Sequence, residues 1–178
     1  MAEVGIIGAG SWGTALSLLL YKNGNQVTVW SALENEIQML KEEREQKDKL
    51  PGVKLPEDMI FTTNLEEAIK GKDVLVLAVP SPFTRSTSAK MKPYVKDGQI
   101  IVNVAKGIEE TTLMTLSEII EEEIPQANVA VLSGPSHAEE VGRGLPTTIV
   151  AGSKDKETAE YLQNLFMSEV FRVYTSSD

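Results

Sequence analysis

An α/β fold, with a doubly wound, mostly parallel sheet and helices on both faces, is predicted by two features of the sequence. Short β-branched runs alternate with helical stretches along the chain, which is the pattern of successive βαβ units. The first of these runs, residues 4–7, leads directly into Gly8, Ala9, Gly10, Ser11, Trp12 and Gly13 at the head of a helix-like segment. Three glycines at this spacing also occur in ordinary tight turns, but the strand before and the helix after favour a dinucleotide-binding turn and a Rossmann-like fold. In that reading Gly8 makes the turn, Gly10 leaves room for a pyrophosphate, and Gly13 lets helix and strand pack closely. The helix, roughly residues 12–23, aims its free N–H groups and a partial charge of about +0.5 at the anion.

The remaining elements follow in order. Gly24 ends the first helix, and residues 27–30 form the second strand. The charge run over 41–49 reads as a solvated helix face and its exit, and not as a ligand patch. Residues 46–58, with Pro51, Gly52 and Pro56, lack periodicity and form a long excursion of the functional or mobile kind. A weaker strand at 60–62 precedes Asn64 and Glu67, which resemble a capping box ahead of a short helix ending near Gly71. Strands are expected at 74–78, 100–103, 129–132 and 148–151, with a weaker one at 171–174. Right-handed crossovers between them place helices on both faces. Glu121 to Glu123 read as another solvated helix face. With no internal repeat, low-complexity tract or linker, residues 1–178 read as one dinucleotide-binding domain.

Composition narrows the chemistry. At 178 residues the chain can bury roughly 70% of its unfolded surface, ample for a core. No cysteine is present and only one histidine, which excludes disulfides and thiolate catalysis and leaves no evident metal centre. The net charge of −9 disfavours nucleic acid. No apolar run is long enough to span a bilayer, and no basic leader precedes a cleavable apolar segment, so the expected location is the cytoplasm without membrane insertion. The negative field also opposes a dinucleotide, so a bound one needs local compensation from helix N-termini, backbone N–H groups and placed lysines. Lys106 is the first of these to consider.

Ligands of open parallel sheets bind beyond the carboxyl ends of the strands. One such segment is Val79, Pro80, Ser81, Pro82 and Phe83, whose prolines fix an extended turn beside the cofactor cleft; a rigid strand-to-helix connector is the plainer reading. A second is Val104, Ala105, Lys106, Gly107, Ile108 and Glu109, which sets a lysine at a strand edge, where an ordinary surface lysine is the alternative. A third runs from Ser133 through Gly134, Pro135, Ser136, His137 and Ala138 to Glu139, Glu140 and Val141. Its hydroxyls and helix start suit an anion or carbonyl, while Ser136 as N-cap with Glu139 at N3 explains it structurally. His137 is expected in the first helical turn; lacking a paired carboxylate in sequence, it reads as a structural donor.

Taken together, GAGSWGTA, LPGVKLP, AVPS, VAKGIE and SGPSHAEEV resemble, over essentially the whole chain, the amino-terminal cofactor-binding domain of bacterial-type glycerol-3-phosphate dehydrogenases. The resemblance implies reversible hydride transfer between NADH or NADPH and the dihydroxyacetone phosphate/sn-glycerol 3-phosphate pair, for phospholipid synthesis. It implies Ser11, Trp12 and Ala138 on the cofactor, Lys106 on cofactor and substrate, and Gly134 and Ser136 on the substrate. Lys106 is the candidate catalytic group, since a lysine ammonium stabilises the charge that develops on the ketone oxygen during hydride addition. Gly8, Gly10, Gly13 and Pro80 complete the cofactor set.

Two departures matter. Members of the family continue into a helical domain carrying a second lysine and an Arg-Asn pair for the substrate phosphate, and are possible homodimers; this chain stops near where that domain would begin. The expectation is a truncated form that binds cofactor and is nearly inactive in catalysis. Relatives also place an arginine soon after the second strand, suited to a 2′-phosphate, where this chain reads Trp30, Ser31, Ala32, Leu33 and Glu34. Glu34 is a candidate for the NADH ribose diol and equally a solvated helix residue, so at best a weak preference for NADPH is expected. A non-catalytic dinucleotide-binding module and a dehydrogenase of another small ketone or hydroxy acid remain the alternatives.

Overall fold

A computed structural model describes all residues from Met1 to Asp178. Eight strands form one sheet in the order β3-β2-β1-β4-β5-β6-β7-β8. They are β1 (Glu3–Ile7), β2 (Gln26–Trp30), β3 (Ile60–Thr62), β4 (Val74–Leu77), β5 (Ile100–Asn103), β6 (Asn128–Ser133), β7 (Thr147–Gly152) and β8 (Phe171–Ser176). The helices are α1 (Ser11–Lys22), α2 (Glu34–Glu43), α3 (Leu65–Ile69), α4 (Thr84–Met91), α5 (Leu116–Glu123), α6 (Ala138–Gly142) and α7 (Lys156–Phe166). The expected doubly wound, mostly parallel sheet is therefore present, and the direction of winding reverses between β1 and β4.

Side chains alternate between two cores, as the period of a strand requires. Val4, Ile6, Val74, Val76 and Val102 meet α1, α2 and α7 through Leu16, Leu20, Leu40, Leu162 and Phe166. Ile7, Leu75, Leu77 and Ile101 face the other way, onto Ala68 and Ile69 of α3, Met91 of α4 and Ile120 of α5. Both faces of the central strands are buried, so they read as continuous apolar runs.

One strand departs from the parallel majority, and two local expectations are corrected. β7 pairs antiparallel with β6, with Ser133 opposite Val150 and Val131 opposite Gly152. The chain leaving β6 spends its length on α6, whose Val141 packs into the core of the α1 face, so β7 starts from the same sheet edge and runs back. Ser136 does not cap α6: His137 occupies the N-cap with no side-chain cap bond, because Ser136 turns back onto the Gly134 carbonyl at 2.9 Å through its N–H. At Asn64 only half of the box forms. Its side chain accepts from the Glu67 N–H at 3.3 Å, while the Glu67 carboxylate takes the Thr62 hydroxyl at 3.0 Å; a full capping box stands instead at Thr115 and Glu118.

The excursion after α2 is packed. Leu50, Val53, Leu55 and Met59 are buried in the α1-face core, and Arg44 donates to the carbonyls of Pro56 at 3.0 Å and Met59 at 2.7 Å. Lys49 is thereby carried to the carboxyl edge of the sheet.

Candidate dinucleotide-binding site

The glycine turn joins β1 to α1. Gly8 has φ +120°, a conformation glycine adopts without strain, and a Cβ there would lie 2.8 Å from the Ala78 carbonyl. A Cβ on Gly13 would drive into the Gly8 carbonyl oxygen, so this position is glycine for helix–strand packing. Gly10 differs: a Cβ there would meet nothing within 4 Å. The chain's own packing leaves that space free, beside a helix start where the N–H groups of Ser11, Trp12 and Gly13 have no acceptor within the chain. No acidic side chain occupies the first turn of α1. Free donors, the helix dipole and open space together suit a pyrophosphate.

The turn opens into a cleft of about 930 Å³ at the carboxyl ends of β1, β2, β4 and β5. Gly8, Gly10, Ser11, Trp12, Pro80, Lys106, Ser136 and Ala138 all line it; Gly13 and Gly134 do not. Trp30 lines it too, with its indole N–H fixed on the Thr63 carbonyl at 3.0 Å. Three lysines, Lys49, Lys90 and Lys106, and one carboxylate, Glu36, face the cleft. Its side chains thus oppose the net charge of −9 and supply local compensation for an anion.

Lys106 sits beyond β5 on a turn shaped by Asn103, whose buried side chain bonds both the N–H and the carbonyl of Ala105. Its ammonium donates to the Gly134 carbonyl at 3.1 Å, the same oxygen that accepts from the Ser136 N–H. Lys106, 28 residues before Gly134, therefore meets Gly134 and Ser136 at one oxygen. His137 lines the cleft beside them.

The loop bearing Lys106 is clamped from outside. Arg85 of α4 donates to Glu109 through Nε at 2.8 Å and Nη2 at 2.9 Å, and to Glu123 at 2.8 Å, and it reaches Glu122 at 3.3 Å. Glu122 and Glu123 are thus partners of a cation, and the reading of that run as a merely solvated face is corrected. The Arg85 guanidinium, with the Thr112 hydroxyl, holds the Glu109 carboxyl down to about 2 from an ordinary 4.5. A depressed carboxylate contributes stability that is full above its unfolded value and lost as pH falls through its folded one. Urea-unfolding midpoints are therefore expected to fall between pH 4.5 and pH 2, and to fall less steeply in Arg85→Met. Equal slopes for the two proteins would show that the clamp contributes nothing.

At the second strand the structure reassigns the carboxylate. Glu34 opens α2 and does not line the cleft; Glu36 does. Glu36 accepts from Ser31 at 2.7 Å, from Gln46 at 3.0 Å and from Lys49 at 2.8 Å. Burial pushes its carboxyl up, but the bonds from Lys49, Ser31 and Gln46 outweigh that and hold it below the usual value. Lys49 belongs to the charge run read from sequence as a solvated face; the LPG turn just beyond it was the signal that the chain folds back there.

Residues 3–159 match the family model described as NAD-dependent glycerol-3-phosphate dehydrogenase N-terminus. The chain belongs to this family. It is 68% identical over 178 residues to a glycerol-3-phosphate dehydrogenase [NAD(P)+] of Agathobacter rectalis, covering all of this chain and 53% of that protein. Against the Bacillus subtilis protein of the same name the identity is 45% over 181 residues, with 100% and 52% covered. A solved glycerol-3-phosphate dehydrogenase from Coxiella burnetii superposes with a TM-score of 0.94 at 31% identity, over 99% of this chain and 54% of that one. The chain spans about half the length of these family relatives. No helix is long and apolar enough to cross a membrane.

Proposed function

We propose that this chain is the nicotinamide-dinucleotide half of an enzyme that interconverts dihydroxyacetone phosphate and sn-glycerol 3-phosphate. The observation that carries the cofactor reading is the free space over Gly10 beside three unpartnered N–H groups, in a family whose members are named NAD(P)-dependent. In this reading Ser11 and Trp12 bind the pyrophosphate at the glycine turn, and Pro80 and Ala138 touch the cofactor elsewhere along the cleft wall. The dinucleotide, when bound, supplies or accepts the hydride. Lys106 then stabilises the negative charge growing on the carbonyl oxygen, its ammonium already held beside Ser136 by the Gly134 carbonyl. Gly134 and Ser136 contact the substrate. In this reading the proton donor and the substrate-phosphate contacts belong to the half of the relatives' length that the matched residues do not span.

Titration with NADH, followed by Trp12 and Trp30 fluorescence and checked by calorimetry, is expected to saturate. Joined to the second half of the Agathobacter rectalis relative, the chain is expected to oxidise NADH only when dihydroxyacetone phosphate is present. Lys106→Met in that fusion should cost about 100-fold or more in kcat, the scale of losing a preorganised charge stabiliser. Saturable binding without turnover in the fusion would favour a non-catalytic dinucleotide module; no binding would overturn the reading of the glycine turn.

A further inference from the structure

We infer that Lys49, held in place by Glu36, reads the 2′-phosphate of NADPH and sets this chain's choice between the two nucleotides. The inference rests on the dinucleotide reading above. A carboxylate that bonds the ribose diol of NADH stands at the carboxyl end of the second strand, with its oxygens free to accept. That place is taken here by Ser31, Ala32 and Leu33, which line the cleft and carry no charge. The one carboxylate on the cleft wall, Glu36, already accepts three side-chain donors, from Ser31, Gln46 and Lys49. Its oxygens are therefore committed to the protein and poorly placed to hold a ribose diol.

The same bonds fix Lys49. Gln46 is wholly buried and donates to the Ala9 carbonyl at 2.7 Å, so Glu36 is tied through it to the glycine turn itself. Glu36 in turn holds the Lys49 ammonium at 2.8 Å on the cleft wall, where the lysine side chain is 46% exposed. An ammonium has three donor protons, and one bond to Glu36 leaves two for a phosphate. Lys49 has a second effect, cancelling the charge of Glu36. Without it, a bare carboxylate would face the phosphate and repel it. Removing Lys49 is thus expected to act on NADPH and to spare NADH.

The test titrates the chain and Lys49→Met with NADPH and NADH side by side at fixed salt, with thermal melts to confirm folding. NADPH affinity is expected to fall about 10- to 100-fold, the scale of a charge-assisted hydrogen bond, with NADH changed about twofold or less. Lys49→Arg should keep most of the NADPH affinity. Equal weakening of both nucleotides would overturn the proposal, leaving Lys49 as a support of the glycine turn. So would an unchanged ratio of the two affinities in Lys49→Met; Lys90→Met, a change at another cleft lysine, then shows whether the phosphate is read there. If the unaltered chain binds neither nucleotide, the dinucleotide reading fails and the proposal with it.

Discussion

Gly10→Val is expected to lower NADH affinity by about 100-fold or more while the protein remains folded. The two halves of that expectation have separate causes. A pyrophosphate crossing the turn needs backbone contact at the second glycine, and a branched side chain there fills the space it would occupy; a hundredfold is about 2.7 kcal/mol. The fold has no objection, because a Cβ at Gly10 meets no atom within 4 Å and φ is −72°, accessible to any residue. Gly10 is also the N-cap of α1, and valine caps less well than glycine by about 1 kcal/mol. In a protein of this size that corresponds to roughly 2–4 °C in Tm. A titration paired with a thermal melt reads both quantities. Tight binding by the variant would mean that no phosphate passes over this turn, and a much larger fall in Tm would mean that Gly10 has a packing role.

The glycine turn shows what a sequence makes legible. Gly8 and Gly13 are glycine because the protein's own atoms approach them, and Gly10 because they do not. All three were legible as one motif since the spacing encodes both requirements at once. The strands were legible for a similar reason: both faces of β1, β4 and β5 are buried, so apolar runs mark them. Where a feature depends on which distant segments meet, the sequence is silent. Nothing local shows that Glu122 and Glu123 turn toward Arg85, and the LPG turn beyond Lys49 marks a reversal of the chain without naming Glu36 as the partner it reaches. The direction of β7 follows from how the segment after β6 is spent against α1, which no period of apolar residues records. The meeting of Lys106, Gly134 and Ser136 at one carbonyl oxygen likewise exists only once β5 and β6 lie side by side.

The charge balance illustrates how such long-range meetings serve binding. A chain of net charge −9 presents three lysines to its cleft and commits the single cleft carboxylate to internal donors. Acidic residues are kept for clamps such as Glu109 on Arg85, outside the wall. An anionic ligand therefore meets local positive charge and free N–H groups although the molecule as a whole repels it.

Gly5→Ala is expected to be the most damaging of the small substitutions to stability. Gly5 lies in the middle of β1, between Thr28 of β2 and Leu75 of β4, at the centre of the sheet. Its Cα faces the backbone of α3 so closely that a single methyl group would overlap the Ala68 carbonyl oxygen, with Leu75 Cδ2 only 3.0 Å away. The leucine can turn aside, but a helix carbonyl cannot, so α3 must lift off the sheet. It would pull on Ala68 and Ile69, both fully buried against Ile7 and Leu77. Overpacking of this kind costs about 3 kcal/mol at the upper end of the usual range. The corresponding fall in Tm is roughly 6–12 °C. Glycine within a strand marks such a close approach, and here it is what allows α3 to seal the second core over the central strands. Thermal and urea melts of Gly5→Ala beside the unaltered chain measure the cost. A change in Tm within about 2 °C would show that α3 has room to move and that the second core does not depend on this contact.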